Sequence, residues 1–215
     1  MRLLPVLLAA GASSRFAADD SVPGHAKLAA QDSHGTPLLR LSWQALEQMR
    51  AQTSLKYPKL ELLPLLTILG GHKEQLQALL PPHASCCFNP LWQQGLGHSI
   101  ALAAEQAKAC SADALLLALA DQVALTSADY LELLDCWLGS QLSSSAFYRD
   151  APGAPAIFNA TDFNALSQLQ GDRGAKALLT EKLQQQQRLG RIVLHRAAID
   201  IDTGADLRRL NQHKE

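Results

Sequence analysis

The segment MRLLPVLLAAGASSRF, residues 1–16, gives the first indication of the fold. An apolar run over residues 3–9 is followed by small residues and then Arg15. The segment also imitates a secretion signal, but the run is short and only Arg2 supplies a charged side chain ahead of it. It is far too short to cross a bilayer. We therefore favour a buried strand of a parallel sheet, which reads as a near-continuous apolar run.

The composition is that of a folded protein without a strong electrostatic field. The 215 residues are 47% hydrophobic and 18% charged, which supports a buried core rather than disorder. At this length we expect one domain spanning residues 1–215. The formal net charge is -1, so there is no basic field to attract nucleic acid or a membrane surface. We expect neither partner, and any bound anion must be held by a local site.

The cysteines do not form a metal-binding or redox pattern. Two of the four are adjacent and two stand alone, so the C-x-x-C spacing of zinc and redox sites is missing. Four cysteines are also too few for disulfides to be the main stabilising feature of a chain of this length. We expect reduced thiols in a cytoplasmic protein, because disulfides are rare in that compartment.

Apolar runs of strand length alternate along the chain with stretches of helical spacing. The strand-like runs cover residues 3–9, 62–69, 114–119 and 191–195. Apolar residues recur three or four apart, as one buried helix face requires, over residues 38–49, 76–80, 100–107 and 131–138. Strands that alternate with helices predict an α/β fold with a mostly parallel sheet covered on both faces. The proline- and glycine-containing segment 150–155 reads as a loop.

The loop at residues 8–15, LAAGASSR, is the first candidate binding site, because ligands of open α/β sheets bind beyond the carboxyl ends of the strands. Only Gly11 of a G-x-G-x-x-G turn is present, which argues against a nicotinamide-dependent oxidoreductase. The loop can still offer backbone N–H groups to phosphate oxygens, and Arg15 can add a forked cationic donor. A surface loop with a solvated arginine remains the alternative.

Asp121 is the second candidate, since it follows the apolar run 114–119 directly after Ala120. A carboxylate at that point faces the ligand crevice and suits a hard cation such as Mg²⁺, held together with substrate phosphates. A cap for the following helix is the alternative role.

The segment IDIDTG, residues 199–204, supplies further carboxylates. In an extended chain, alternation sends Asp200 and Asp202 to one side and Ile199 and Ile201 toward the core. Asp202 can also cap the helix that follows, and a metal site near a helix N-terminus is compatible with phosphate binding.

The segment NPLWQQGLGHS, residues 89–99, lies between a short predicted strand and a predicted helix. Gly95 and Gly97 permit close backbone approach, and Ser99 can serve at the helix N-terminus. A well-capped turn is the purely structural alternative. We expect Trp92 to be a packed loop aromatic rather than a platform for a base.

In their order along the chain, these segments resemble the MobA-like nucleotidyltransferase family, most closely its molybdenum cofactor cytidylyltransferases. The family motif L-A-A-G-x-S-x-R matches residues 8–15 throughout, and the downstream lysine of the family corresponds to Lys27. Further motifs follow in the family's order: G-x-P-L-L at 35–39, N-P-x-x-x-x-G-x-x-x-S at 89–99, L-A-D at 119–121, G-D-x-G-A-[RK] at 171–176 and D-I-D-T at 200–203. The resemblance implies a Rossmann-like, three-layer, mostly parallel sheet of the nucleotide-diphospho-sugar transferase type.

The resemblance also implies a reaction and its participants. A phosphate of the acceptor, molybdopterin in the cytidylyltransferases, attacks the α-phosphorus of CTP, and pyrophosphate is released. Such chemistry needs positioning and charge neutralisation more than covalent catalysis. A molybdoenzyme or its chaperone is the protein partner that this role implies.

Site residues are implied position by position. Those that would bind the nucleotide are Leu8, Ala9, Ala10, Gly11, Arg15, Lys27, Gly71, Asn89, Gly97 and Ser99. Those that would be catalytic are Arg15, Lys27 and Asp121, and those that would hold Mg²⁺ are Asp121 and Asp202.

Three details of the sequence bear on specificity and activity. Guanylyl transferases of the family carry a second glycine at the position of Ala10, so L-A-A-G favours CTP. The chain has an insertion between Arg15 and Lys27, and it has Gln122 and Val123 where the family commonly has Met-Pro. Two alternatives therefore remain. One is the same chemistry on another acceptor, such as a sugar or polyol phosphate, and the other is a catalytically weak nucleotide-binding accessory protein for a molybdoenzyme.

Overall fold

A computed structural model describes residues 1–11, 26–185, 188–201 and 206 of the chain. Within these residues the strands are β1 (Arg2–Ala9), β2 (Glu61–Leu62), β3 (Leu66–Leu69), β4 (Ser85–Phe88), β5 (Ala114–Leu119), β6 (Ser144–Tyr148), β7 (Ala151–Asn159) and β8 (Gly190–Val193). They form one eight-stranded sheet in the order β4-β3-β1-β5-β7-β6-β8, with β2 also pairing with β1. Of the described strands, β7 alone runs antiparallel to its neighbours. The prediction of an α/β fold with a mostly parallel sheet is confirmed.

Helices cover both faces of the sheet. They are α1 (Leu38–Lys56), α2 (Lys73–Leu79), α3 (Leu96–Ala109), α4 (Ser127–Ser140), α5 (Phe163–Ser167) and α6 (Ala175–Gln184). Strand β1 alternates between two buried layers, because Leu3 and Leu7 pack with side chains of α1 and α4 while Leu4 and Leu8 pack with those of α3, α5 and α6. This alternation confirms the predicted three-layer arrangement and explains why β1 is apolar at every position.

The predicted strand over residues 62–69 is two strands, β2 and β3. Pairing with β1 stops at Leu3 and resumes at Val6, so the break in the ladder includes Pro5. Pro5 and Pro64, which lies in the segment between β2 and β3, both lack an N–H that could join the ladder. The apolar run is therefore continuous in sequence but interrupted in hydrogen bonding.

The prediction of a loop over residues 150–155 is wrong, because most of that segment belongs to β7. Its Pro152 and Gly153 pair with β6, and the register then shifts so that Ala154 and Pro155 have no partner before pairing resumes. A bulge of this kind accommodates a proline that a regular ladder would exclude. The prolines that suggested a loop are instead part of an irregular antiparallel strand.

The last predicted strand, 191–195, is found as β8 with shifted bounds, since β8 begins one residue earlier. Strand β8 stops at Val193, and a 3-10 turn, His195–Ala198, occupies the end of the predicted strand 191–195. The cysteines are free thiols, as expected. No helix in the described part of the chain is long and apolar enough to span a membrane.

Candidate functional site

The carboxyl ends of four parallel strands meet at one edge of the sheet. Leu8 of β1 pairs with Leu119 of β5, and Leu69 of β3 pairs with both Ala9 and Phe88. The residues that follow these strands are therefore neighbours in space, as the ligand-binding rule for α/β sheets requires. They are Ala10 and Gly11 after β1, Gly70 and Gly71 after β3, Asn89 after β4 and Asp121 after β5.

A lysine and a carboxylate meet at this edge. Lys27, at the start of the 3-10 turn Lys27–Ala29, places Nζ 2.9 Å from Oδ2 of Asp121. The side chains are 13% and 29% exposed, so water screens their attraction less than in a surface pair. The fold thus brings together two of the residues predicted to be catalytic.

The backbone around Asp121 is held from three directions. The Ala120 amide donates to the Leu8 carbonyl at 3.1 Å, and the buried Ser42 hydroxyl of α1 donates to the Ala120 carbonyl at 2.9 Å. The Ile201 amide donates to the Asp121 carbonyl at 3.3 Å. Asp121 is consequently fixed to β1, to α1 and to the chain near residue 200.

The hydrogen bond from Ile201 also brings Asp200 next to the strand end that carries Asp121. Ile201 is 1% exposed, as predicted, but Ile199 is 47% exposed and does not face the core. The prediction for Ile199 is wrong: its backbone is extended, but the residue directly follows the 3-10 turn His195–Ala198 and its side chain is directed to solvent. Asp202 and Arg15, both predicted site residues, lie outside the described residues.

Tyr148, at the end of β6, is a part of this edge that the sequence analysis missed. Burial raises the pKa of its hydroxyl, and the negative charges of Asp200 and Asp121 raise it further, against the hydrogen bond from Gln122 and the charge of Arg149. The hydroxyl therefore lies within electrostatic reach of both carboxylates. The sequence predicts a loop directly after Tyr148, and no signal in the sequence connects this tyrosine with the site.

Gln122, the first residue of the Gln-Val pair that follows Asp121, has a structural role. Its Nε2 donates to the Ala197 carbonyl at 2.8 Å, to the Ala154 carbonyl at 3.0 Å and to the Tyr148 hydroxyl at 3.4 Å. The side chain is buried, and its Oε1 has no hydrogen-bond partner among the described residues. Gln122 thus ties β7 and the turn before Asp200 to the end of β5.

Trp92 packs beside the glycines that follow β3. A methyl group on Gly71 would lie 2.8 Å from the Trp92 ring, and one on Gly70 would lie 2.4 Å from the Ala10 carbonyl oxygen. Trp92 also packs against the buried layer that contains Ala10. The expectation of a packed loop aromatic is confirmed, and glycine at both positions lets the loops after β1, β3 and β4 approach one another.

Several polar groups of the 89–99 segment form hydrogen bonds with other groups of the protein. The Asn89 amide nitrogen Nδ2 donates to the Ser99 hydroxyl at 2.9 Å, and both side chains are buried. The Gly97 amide donates to the Gly171 carbonyl at 2.8 Å, which joins the start of α3 to the turn before α6. Nucleotide binding by Asn89, Gly97 and Ser99 stays a prediction.

The remaining predicted nucleotide ligands differ in exposure. Leu8, Ala9 and Ala10 are buried, with Leu8 and Ala9 in opposite layers of the core. Gly11 is exposed, and apart from its chain neighbours no atom of the described residues lies within 4 Å of the position where a side chain would start. Of these residues, Gly11 therefore offers the most accessible backbone.

The carboxylate of Asp121 is chemically suited to a divalent cation. Lys27 binds Oδ2, while Oδ1 receives no hydrogen bond from the described residues. Oxygen ligands at a partly exposed strand end match the preference of hard cations that retain waters. Within residues 1–11, 26–185, 188–201 and 206, no group of three or more histidine, cysteine, aspartate or glutamate side chains could hold a metal ion. A complete site needs ligands from a substrate, from water or from elsewhere in the chain.

The fold and the sequence family are those of a nucleotidyltransferase. The chain belongs to the MobA-like NTP transferase domain family, whose sequence model matches residues 5–189. This match confirms the resemblance that the ordered motifs indicated. No curated protein sequence matches the chain.

Solved structures share the fold at low sequence identity. Rv0371c from Mycobacterium tuberculosis H37Rv is 21% identical over 99% of both chains, with a TM-score of 0.70, and a manganese complex of Rv0371c is also similar. A nucleotidyl transferase from Methanothermobacter thermautotroptrophicus is 18% identical over 98% of this chain and 96% of that chain, with a TM-score of 0.72. The CMP:2-keto-3-deoxy-manno-octonic acid synthetase complexed with CTP is 12% identical over 100% of this chain and 98% of that chain, with a TM-score of 0.68. These similarities confirm the predicted transferase-type fold.

Proposed function

We propose that the chain transfers CMP from CTP to a phosphate-bearing acceptor in a Mg²⁺-dependent reaction, with molybdopterin as the expected acceptor. The observation that carries the proposal is the pair formed by Lys27 and Asp121, 2.9 Å apart at the carboxyl edge of the sheet. It lies between the loop after β1 and the end of β5, where the triphosphate of a nucleotide would be held. Membership of the MobA-like family supports nucleotidyl transfer at this edge.

The metal has a defined place in the proposal. Asp121 and Asp202 would hold Mg²⁺, which when bound neutralises phosphate charge and polarises the α-phosphorus. The manganese complex of Rv0371c supports a divalent cation in a protein of this fold.

The residues of the chain supply positioning and charge. The exposed backbone at Gly11 and the side chains of Arg15 and Lys27 would bind the triphosphate, since N–H groups and cations are the donors that phosphate oxygens accept. Asp121 would also hold the Lys27 ammonium in the site through their ion pair.

The step itself needs no covalent intermediate with the protein. An oxygen of the acceptor phosphate forms a bond to the α-phosphorus, while the bond from that phosphorus to the bridging oxygen breaks. Pyrophosphate leaves with the electron pair. The attacking oxygen already carries negative charge, so the enzyme has to align the two phosphates and offset their repulsion.

Calorimetric titration with CTP, GTP, UTP and ATP, in Mg²⁺ and in chelator, tests the proposal. We expect Mg²⁺-dependent preference for CTP in the wild type and its loss in Asp121→Asn. Asp113→Asn is the matched control, because Asp113 lies immediately before β5 at the opposite end and accepts a hydrogen bond from the Arg2 amide. Absence of nucleotide binding under every condition would overturn the proposal.

An acceptor screen separates the remaining alternatives. Pyrophosphate release is followed with molybdopterin and with sugar and polyol phosphates, and we expect release with molybdopterin. Release only with another phosphate would correct the acceptor. Nucleotide binding without any metal-dependent release would favour an accessory protein over an enzyme.

A further inference from the structure

The hydroxyl of Tyr148 is an unused hydrogen-bond donor at the edge of the proposed site. The oxygen accepts a hydrogen bond from Gln122 Nε2 at 3.4 Å. In the part of the chain that the structure describes, no group accepts the hydrogen of this hydroxyl. A half-buried phenol usually finds a partner for its O–H, so this donor is available to a ligand.

The position of the phenol is fixed on two sides. A methyl group on Gly153 would lie 2.5 Å from the Tyr148 hydroxyl oxygen and 2.8 Å from the adjoining ring carbon, so the ring lies directly against the Gly153 backbone. Gln122 holds the oxygen from the other direction and is itself anchored to two backbone carbonyls. The hydroxyl is therefore positioned before any ligand arrives.

The sheet order indicates which substrate would meet this donor. Strands β1, β3 and β4, which precede the proposed nucleotide-binding loops, lie on one side of β5. Strand β6 lies on the other side, and because β7 is antiparallel to both β5 and β6, Tyr148 emerges at the same edge as Asp121. Asp121 consequently separates the proposed nucleotide side from the side that carries Tyr148.

We propose that Tyr148 contacts the acceptor and donates its O–H to a phosphate oxygen of that substrate. The inference rests on the proposed function, because it assumes that the second substrate is a phosphate. The hydroxyl has to stay neutral for this contact, because Asp121 and Asp200 already place negative charge near it and an ionised phenol would add to the repulsion of the incoming anion.

Tyr148 would act by binding and orientation and would not transfer its proton. The attacking oxygen bonds to the α-phosphorus and the bridging bond to pyrophosphate breaks, while Tyr148 donates to an oxygen that does not attack. Burial and the neighbouring carboxylates hold the pKa of Tyr148 above its usual range, which is consistent with a hydroxyl that stays protonated at neutral pH.

Fluorine NMR can observe Tyr148 directly, because the chain has only three tyrosines. The protein is labelled with 3-fluorotyrosine, and Tyr148→Phe assigns the resonance. The methylene analogue of CTP is added with Mg²⁺ to fill the triphosphate site, and inorganic phosphate follows as the probe. We expect phosphate to move the Tyr148 resonance. The other two tyrosines are internal references whose resonances should not move. Tyr130 is fully buried, and Tyr57, just before β2, donates its hydroxyl hydrogen to Asp135.

Steady-state kinetics provide the second readout. In Tyr148→Phe we expect the acceptor KM to rise about tenfold or more, the loss typical of a hydrogen bond to a charged group. The KM for CTP should not change, and Tyr57→Phe should behave like the wild type. Such a split distinguishes an acceptor contact from a general structural defect.

The outcomes separate the inference from the proposed function. If CTP binds and turns over while phosphate leaves the Tyr148 resonance unmoved and Tyr148→Phe keeps the wild-type acceptor KM, the inference alone is overturned. If the wild type binds no CTP, the proposed function fails and the inference fails with it.

Discussion

Lys27 Nζ lies 2.9 Å from Asp121 Oδ2, although 94 positions separate the two residues along the chain. The contact joins the 3-10 turn Lys27–Ala29 to the end of β5. The ion pair gives the proposed triphosphate site a cation at a defined position.

Replacement of Lys27 should weaken nucleotide binding selectively. In Lys27→Met we expect the Kd for Mg²⁺–CTP to rise by a factor of about ten or more, because a charged donor to phosphate is lost. Calorimetry measures the change. Lys56→Met is the control, since Lys56 pairs with Asp135 at 2.7 Å on an exposed surface. Equal losses in both variants would contradict a specific role for Lys27.

Gln122 offers a test of how the site is held together. Gln122→Met removes the donor to the buried carbonyls of Ala154 and Ala197, and we expect a loss of about 1–3 kcal/mol in unfolding free energy. Gln122→Glu should cost more at neutral pH, because its carboxylate would face those carbonyl oxygens. Urea unfolding measures both variants.

The pH dependence of the glutamate variant supplies its control. Burial would raise the pKa of the new carboxyl in the folded state, so the added destabilisation should appear as pH rises above about 4.3, the ordinary value for glutamate. Gln122→Met should lack this dependence. A glutamate variant as stable as the wild type at pH 8 would show that the described contacts do not hold Gln122.

The buried Tyr130 should affect the stability of the fold at alkaline pH. Burial, with a contribution from the Asp129 charge, raises the pKa of this fully buried hydroxyl, whose oxygen has no hydrogen-bond partner in the part of the chain that the structure describes. The protonated form is therefore favoured in the folded state, and the folded protein should lose stability relative to the unfolded chain as pH rises above about 10, where the unfolded tyrosine ionises.

The matched variant for this prediction is Tyr130→Phe, which removes the unpartnered hydroxyl and keeps the ring. We expect unfolding free energy at pH 7 to be unchanged or higher by about 1 kcal/mol, because an unsatisfied buried group is removed. Urea unfolding between pH 7 and 11.5 should show a smaller alkaline decline than in the wild type. A decline of equal size would assign the alkaline effect to other groups.

Gly153→Ala tests the position of Tyr148 without removing its hydroxyl. The methyl group would lie 2.5 Å from the phenol oxygen, so the ring must move. We expect the acceptor KM to rise as in Tyr148→Phe, with the KM for CTP unchanged. The control is Gly139→Ala in α4, where the new methyl group would meet no described atom within 4 Å outside its own helix. An unchanged acceptor KM in Gly153→Ala would mean that the exact place of the phenol is unimportant.

Strands buried on both faces could be predicted from the sequence. Strand β5 covers the predicted run 114–119, and β1 extends the run 3–9 by one residue, because side chains on both faces of these strands must be apolar. The split of the run 62–69 could not be predicted in this way. It depends on which stretch of β1 is opposite Pro64, and that pairing exists only in the folded sheet.

The part of the site on the β6 and β7 side of β5 was harder to predict. Proline and glycine in the segment 150–155 indicate a loop when read alone, whereas pairing with β6 and a bulge at Ala154 and Pro155 make it part of β7. Tyr148 was missed for the same reason. The motifs identified Lys27 and Asp121 as candidates, but their contact follows from tertiary packing that the spacing does not encode.

The reversed direction of β7 has a consequence for how such enzymes diversify. It returns the chain so that a short hairpin, β6 with β7, reaches the ligand edge on the side of β5 away from β1, β3 and β4. If the acceptor is bound there, substitutions and length changes within one hairpin can alter substrate choice while the strands that would support the nucleotide stay intact. Acceptor range and nucleotide preference can then evolve as separate traits in one gene.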